Sequence, residues 1–131
     1  MGAITTIAFL PGDLGAWIHC LASDVQIARG YAQKIIDKHG LKYSDFFIIQ
    51  AAIDRGYCIR SKTNFLEFIY LDDRVPSRWF ALILKSAKGG SECWFVSLYR
   101  SKPLQVRSKL RRATLAGALI REHREKYEMT D

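Results

Sequence analysis

Residues 78–99 read Arg-Trp-Phe-Ala-Leu-Ile-Leu-Lys-Ser-Ala-Lys-Gly-Gly-Ser-Glu-Cys-Trp-Phe-Val-Ser-Leu-Tyr. Two runs of aromatic and branched residues, 79–84 and 93–98, flank a tip of Lys88, Gly89, Gly90 and Ser91, which is the pattern of a β-hairpin. The glycines supply the positive φ that a tight tip needs. A loop of two or four residues pairs the same side chains, because the two registers differ by an even step. One face is expected to carry Arg78, Phe80, Leu82 and Leu84 with Cys93, Phe95, Ser97 and Tyr99. The other is expected to carry Trp79, Ala81, Ile83 and Lys85 with Glu92, Trp94, Val96 and Leu98. Both sets are largely apolar, so the hairpin should be central, with helices over one side and a ligand groove on the other.

Upstream of the hairpin, residues 57–60 and 65–71 read as strands, separated from it by a turn over residues 72–77. Together these segments predict an antiparallel meander of three or four strands. Earlier still, the texture is helical. Ser23 and Asp24 look like an N-cap for a helix over 25–38 with Ile27, Tyr31 and Ile35 at helical spacing, closed by His39 and Gly40. Ser44 and Asp45 look like the cap of a second helix that stops at Arg55 and Gly56. Residues 4–10 form an apolar strand or arm before a Pro-Gly turn, and Trp17 starts a short helix or plugs the core. After Pro103, Val106, Leu110, Ala113, Leu119 and Ile120 mark a basic amphipathic helix over about 104–127. The expected fold is therefore a single α+β domain, 1–131. N-terminal helices (about 17–56) pack on a three- to four-stranded antiparallel meander (about 57–100), with a C-terminal helix following.

The chain has 131 residues, 49% of them apolar, enough for a core without staples. Its formal charge of +7 is high for that size and favours a polyanionic partner, above all nucleic acid. The charge is also clustered. Residues 100–112 contain Arg100, Lys102, Arg107, Lys109, Arg111 and Arg112 with no acid between them, a run suited to tracking a phosphate backbone. Cys20, Cys58 and Cys93 are odd in number and lack C-x-x-C spacing, which argues against a disulfide framework or a zinc site and fits a reducing, cytoplasmic setting. Residues 1–10 are apolar but end at Pro11-Gly12-Asp13, too soon for a signal peptide or a membrane span. No P-loop, dinucleotide fingerprint or Gly-x-Ser-x-Gly elbow is present.

The stretch from Ile27 to Gly40, ending Lys38-His39-Gly40, resembles the helix with a Lys-His-Gly ending found in the barnase, EndoU, colicin E5/D and RelE (BECR) group of small ribonucleases, in its phage and polymorphic-toxin branch. Ile53-Asp54-Arg55-Gly56 is similar to the Ile-x-x-Gly helix end that follows it there. Leu84-Lys85 and Val96-Ser97-Leu98-Tyr99 look like the lysine-bearing strand and the Val-Thr-x-Tyr strand of that group, with Ser97 in place of the commoner threonine. The likeness spans residues 25–100. It implies a metal-independent endoribonuclease of toxin type with no cofactor, acting on tRNA or mRNA and held in check by an antitoxin or immunity protein.

Such cleavage, in which the 2′-hydroxyl attacks the neighbouring phosphate, needs a proton acceptor, a proton donor and cations for the phosphate. His39 is the candidate imidazole by its helix-end position and by the resemblance, against a plain role as a C-terminal helix cap. Ser97 and Tyr99 are expected beside Arg78 in a pocket for a phosphate and a stacked base. Lys85 falls on the opposite face by parity, facing Glu92, and a β-bulge would be required to bring it to the side of Ser97. Arg60 is a further phosphate ligand. His19 is read as a packed core residue and His123 as part of a solvated helix face. The alternatives are a non-catalytic RNA- or DNA-binding module, and a phage accessory domain for protein interaction.

Overall fold

A computed structural model describes residues 3–72, 74–75 and 77–124. It corrects the expected layout. The chain builds one seven-stranded mixed sheet, with helices interspersed among the strands rather than gathered in front of a small meander. The strands are β1 (Ile4–Phe9), β2 (Asp24–Ala28), β3 (Tyr57–Lys62), β4 (Phe65–Leu71), β5 (Trp79–Ala87), β6 (Glu92–Ser101) and β7 (Leu119–Arg121), and the helices are α1 (Gly12–Gly15), α2 (Tyr31–His39), α3 (Ile49–Arg55) and α4 (Pro103–Leu115). Across the sheet the order is β1-β2-β6-β5-β4-β3-β7. A meander of β3 to β6 forms the middle, β1 and β2 extend it on one side, and β7 closes the other.

Two segments change class for identifiable reasons. Val25 and Ile27 are buried while Asp24, Gln26 and Ala28 are not, so the period is two, and both inward residues are β-branched. The spacing of Ile27, Tyr31 and Ile35 also fits a helix, but Gly30 at φ 82 breaks the chain between them, and α2 begins only at Tyr31. The expected helix over 25–38 is thus a strand, a glycine and a shorter helix. At the other end, α4 stops at Leu115, and Gly117 at φ 69 turns the chain into β7, which pairs with β3. The expected helix over 104–127 is halved, and its last residues, 125–127, lie outside the described ones. The second expected helix is a tight 3-10 turn (Tyr43–Ile48) leading into α3.

Each face of the sheet has its own apolar cluster. On one, Leu66, Phe68, Phe80, Leu82, Leu84, Phe95 and Leu98 pack with Ile35 and Ile36 of α2 and with Ile49, Ala52 and Ile53 of α3. On the other, Ile59, Ile69 and Ala81 meet Val106 and Ala113 of α4. That second cluster is smaller and leaves part of the face uncovered, between α4 and β6. All three cysteines are buried and free, and burial pushes the Cys58 and Cys93 thiols up to about 12. Among the described residues no helix is long and apolar enough to cross a membrane.

Candidate active site at the open edge of β6

The hairpin pairs Leu84 with Phe95 but Ile83 with Ser97, so Val96 is an extra, bulged residue. This single irregularity overturns the expected parity. Ser97, Tyr99 and Ser101 now lie on the face of Lys85, Ile83, Ala81 and Trp79, and not on that of Phe80 and Leu84. The bulge is tied down from outside the sheet: the Tyr31 hydroxyl, at the start of α2, donates to the Val96 carbonyl at 2.7 Å, and its ring meets Phe95 edge-on.

The neighbour of β6 on that side, β2, pairs with it only at Cys93 and Trp94, in parallel. Beyond Trp94, among the described residues, that strand edge carries no ladder, and the C-terminal end of α2 lies against it. Gly40, at φ 63, caps the helix, and His39 is its last residue. His39 Nε2 stands 3.3 Å from Ser97 Oγ, sharing a hydrogen bond whose direction follows the tautomer, and its ring centroid is 5.6 Å from that of Tyr99. Burial, with a smaller contribution from the charge of Lys38, holds the imidazole below its ordinary value, so it is neutral at pH 7.

Next to this pair is a network absent from the sequence reading. The Lys109 ammonium donates to Tyr99 Oη at 2.9 Å and is paired with the Glu67 carboxylate, toward which the Tyr99 hydroxyl also points at 3.4 Å. Burial by itself would lower the Lys109 value, but its bonds to Glu67 and Tyr99 outweigh that and raise it. The stability that comes from the raised Lys109 value is fully present below pH 10.5 and fades as pH climbs through that raised value. Glu67 is nearly buried, whereas Lys109 keeps about a quarter of its side chain in water. Glu67→Gln is therefore expected to lower folding stability by about 1–2 kcal/mol, less than for a fully buried pair, with urea titration as the measurement. The signal for Glu67 was present: it is the single charge inside the apolar strand Phe-Leu-Glu-Phe-Ile-Tyr-Leu.

Tyr99 and Lys109 open into a groove of about 420 Å³ between β6 and α4, lined also by Ser101, Leu104, Gln105, Ser108 and Arg112. Arg100, Lys102, Arg107 and Arg111 are exposed but do not line it: Arg100 pairs with Phe80 on the opposite face of the sheet, and Arg107 lines a separate groove with Tyr57 and Trp79. Lys85 is on the same face as Ser97 but lies toward the hairpin tip, opposite Phe65 and Trp94. Its expected partner Glu92 is taken by Lys88 at 3.3 Å and by the Trp94 indole at 2.9 Å.

The remaining candidates are not brought here. Arg78 is not beside Ser97 and Tyr99; it ion-pairs with the buried Asp45 and reaches Asp72 at 3.9 Å, clamping the 3-10 turn to the end of β4. Arg60 pairs with Leu66 across the ladder and opens onto another groove. His19 is exposed at φ 54 and does not sit in the core. His123 is half-buried, accepts the Leu71 N–H at 3.1 Å and stacks on Tyr70, so it is not on a solvated helix. Among the described residues no group of three or more His, Cys, Asp or Glu is placed to hold a metal. No protein-family model, curated protein or solved structure matches the chain.

Proposed function

We propose that the protein is a metal-independent endoribonuclease of toxin type. The observation that carries this reading is the neutral His39 imidazole, 3.3 Å from Ser97 and against the ring of Tyr99, which in turn lines a groove bearing Lys109 and Arg112. His39 takes the proton of the RNA 2′-hydroxyl, and Ser97 fixes the ring. The 2′-oxygen attacks the adjacent phosphorus. The P–O5′ bond breaks, and the departing 5′-oxygen takes a proton from the Tyr99 phenol, which the ammonium of Lys109 polarises. The products are a 2′,3′-cyclic phosphate and a 5′-hydroxyl. Arg112 and Lys109 offset the charge that builds on the phosphate. Lys85, on the same face, is placed to meet a flanking phosphate rather than the scissile one.

By the resemblance, tRNA or mRNA is the substrate class, and an antitoxin or immunity protein that covers the groove is the expected inhibitor. The test is incubation of the purified protein with bulk tRNA in EDTA. Cleavage leaving cyclic phosphate ends is expected; retardation of the RNA without cutting would replace the enzyme with a binding module. Because the run Arg100, Lys102, Arg107, Arg111 and Arg112 is exposed, RNA affinity should also fall steeply with salt, by about tenfold or more between 50 and 200 mM, measured by fluorescence anisotropy.

A further inference from the structure

A second groove, of about 340 Å³, lies beyond the far end of α4 and is lined by Trp17, Arg60, Lys62, Thr63, Gly117 and Ile120, among others. The active-site chemistry does not use it, and three observations give it a character of its own. First, Trp17 leaves half of its surface in water, 51%, an expensive exposure for an indole that could have been turned into the adjacent core beside Ile18. Second, Arg60 is short of acceptors among the described residues: its Nε is buried with no hydrogen-bond partner there, and its Nη2 has only the Thr63 carbonyl at 3.4 Å. Third, among the described residues no acid lines the groove, while Arg60 and Lys62 both do. An aromatic face beside two cations, one of them holding a single long hydrogen bond to a carbonyl, is the chemistry that receives a nucleobase and its phosphate.

The two grooves are joined by one stripe of a helix. Gln105, Ser108, Lys109 and Arg112 line the first, and Ala116, one turn past Arg112 and donating to its carbonyl, lines the second. From residue 105 to 116 the helical rise is about 16 Å, a span of a few nucleotides of extended strand. Resting on the RNA reading above, we infer that the second groove is a distal subsite for single-stranded RNA. A base stacks on Trp17, its phosphate is held by Arg60 and Lys62, and the strand runs along the α4 stripe to His39. The substrate class is thereby narrowed to RNA that is unpaired for several nucleotides to one side of the cut.

The probe is a 2′-O-methylated octanucleotide of mixed sequence, which cannot be cleaved by its own 2′-oxygen, titrated by fluorescence anisotropy at low salt. Trp17 and Lys62 are exposed, so Trp17→Ala and Lys62→Gln leave the fold intact. Trp17→Ala should weaken octamer binding about tenfold, and Lys62→Gln should reduce the slope of log affinity against log salt by about 0.7. Cleavage of a dinucleotide, too short to reach the second groove, should be unchanged in both. If wild type binds the octamer and both variants bind it equally well, the distal subsite is wrong and the RNA reading stands. If wild type does not bind it, the RNA reading fails and takes the subsite with it.

Discussion

His39→Ala should reduce RNA cleavage in chelator by about 10³-fold while leaving the circular dichroism spectrum and thermal midpoint close to those of the parent. The size follows from losing a positioned proton acceptor, an effect on the order of 10²–10⁴. Folding should persist because His39 is half-buried at a helix terminus and Gly40, not the imidazole, closes α2. Cleavage should also rise with pH through a value below 6.5 and then level, because the ring acts in its neutral form and burial favours that form. The sign for stability is the same. An unfolded chain has a histidine of ordinary basicity, so below pH 6.5 it binds a proton the folded chain resists, and the fold loses stability as pH falls through that window. A Ser97→Ala variant should lose less, about tenfold, since the hydroxyl orients the ring and does not itself transfer the proton. A pH–rate profile unchanged by His39→Ala would assign the proton transfer elsewhere.

Gly90→Ala should cost about 3 kcal/mol or more, and lower the melting midpoint by roughly 10 °C or more, measured by thermal denaturation. Two independent penalties meet at this residue. Its φ of 91 lies in the region that residues with a Cβ avoid. A Cβ there would also overlap the backbone oxygen of His19, well inside 3.0 Å. Neither group can move freely, because the Gly90 carbonyl accepts the N–H groups of Leu21, at 2.8 Å, and Ala22, at 3.3 Å. The hairpin tip is therefore bolted to the segment between α1 and β2. By contrast, Gly89→Ala meets no atom within 4 Å and suffers only its φ of 67, so its loss should be nearer 1 kcal/mol.

The sequence made the hairpin legible because its turn chemistry and apolar runs are local, and β3 and β4 were legible for the same reason. What it could not show is who pairs with whom at a distance. Val25 and Ile27 satisfy both a strand and the first turn of a helix, and it is the strands flanking them, β1 with Ala8 opposite Val25 and Thr5 opposite Ile27, and β6 with Cys93 opposite Val25, that settle the matter. Leu119 and Ile120 fit an amphipathic helix until Gly117 is seen to turn the chain back onto β3. The Val96 bulge is the most consequential feature: the resemblance requires a bulge to put Lys85 and Ser97 on one face, but the parity of the residues argues against one and nothing local places it. A bulge leaves no composition signal in Phe-Val-Ser-Leu-Tyr, yet it decides which face Ser97 and Tyr99 occupy. His39 and Ser97 were each named from the sequence. Their approach depends on α2 lying along a bare strand edge, a fact of topology rather than of either residue's neighbours. Lys109 was named for its charge, but its bond to Glu67 joins residues far apart in the chain, and no periodicity reports that.

The short parallel junction between β2 and β6 has a consequence for how the chain comes off the ribosome. β1, β2 and α2 are synthesised early, but β6, which pairs with β2 on its other side and bears Ser97, emerges only after β3, β4 and β5 have been made. Until then His39 has nothing to approach. Contacts so distant in sequence form late in folding. A nascent chain therefore carries the imidazole without its companions, and the pair of His39 and Ser97 can close only once β6 has followed β3, β4 and β5 and paired within the sheet.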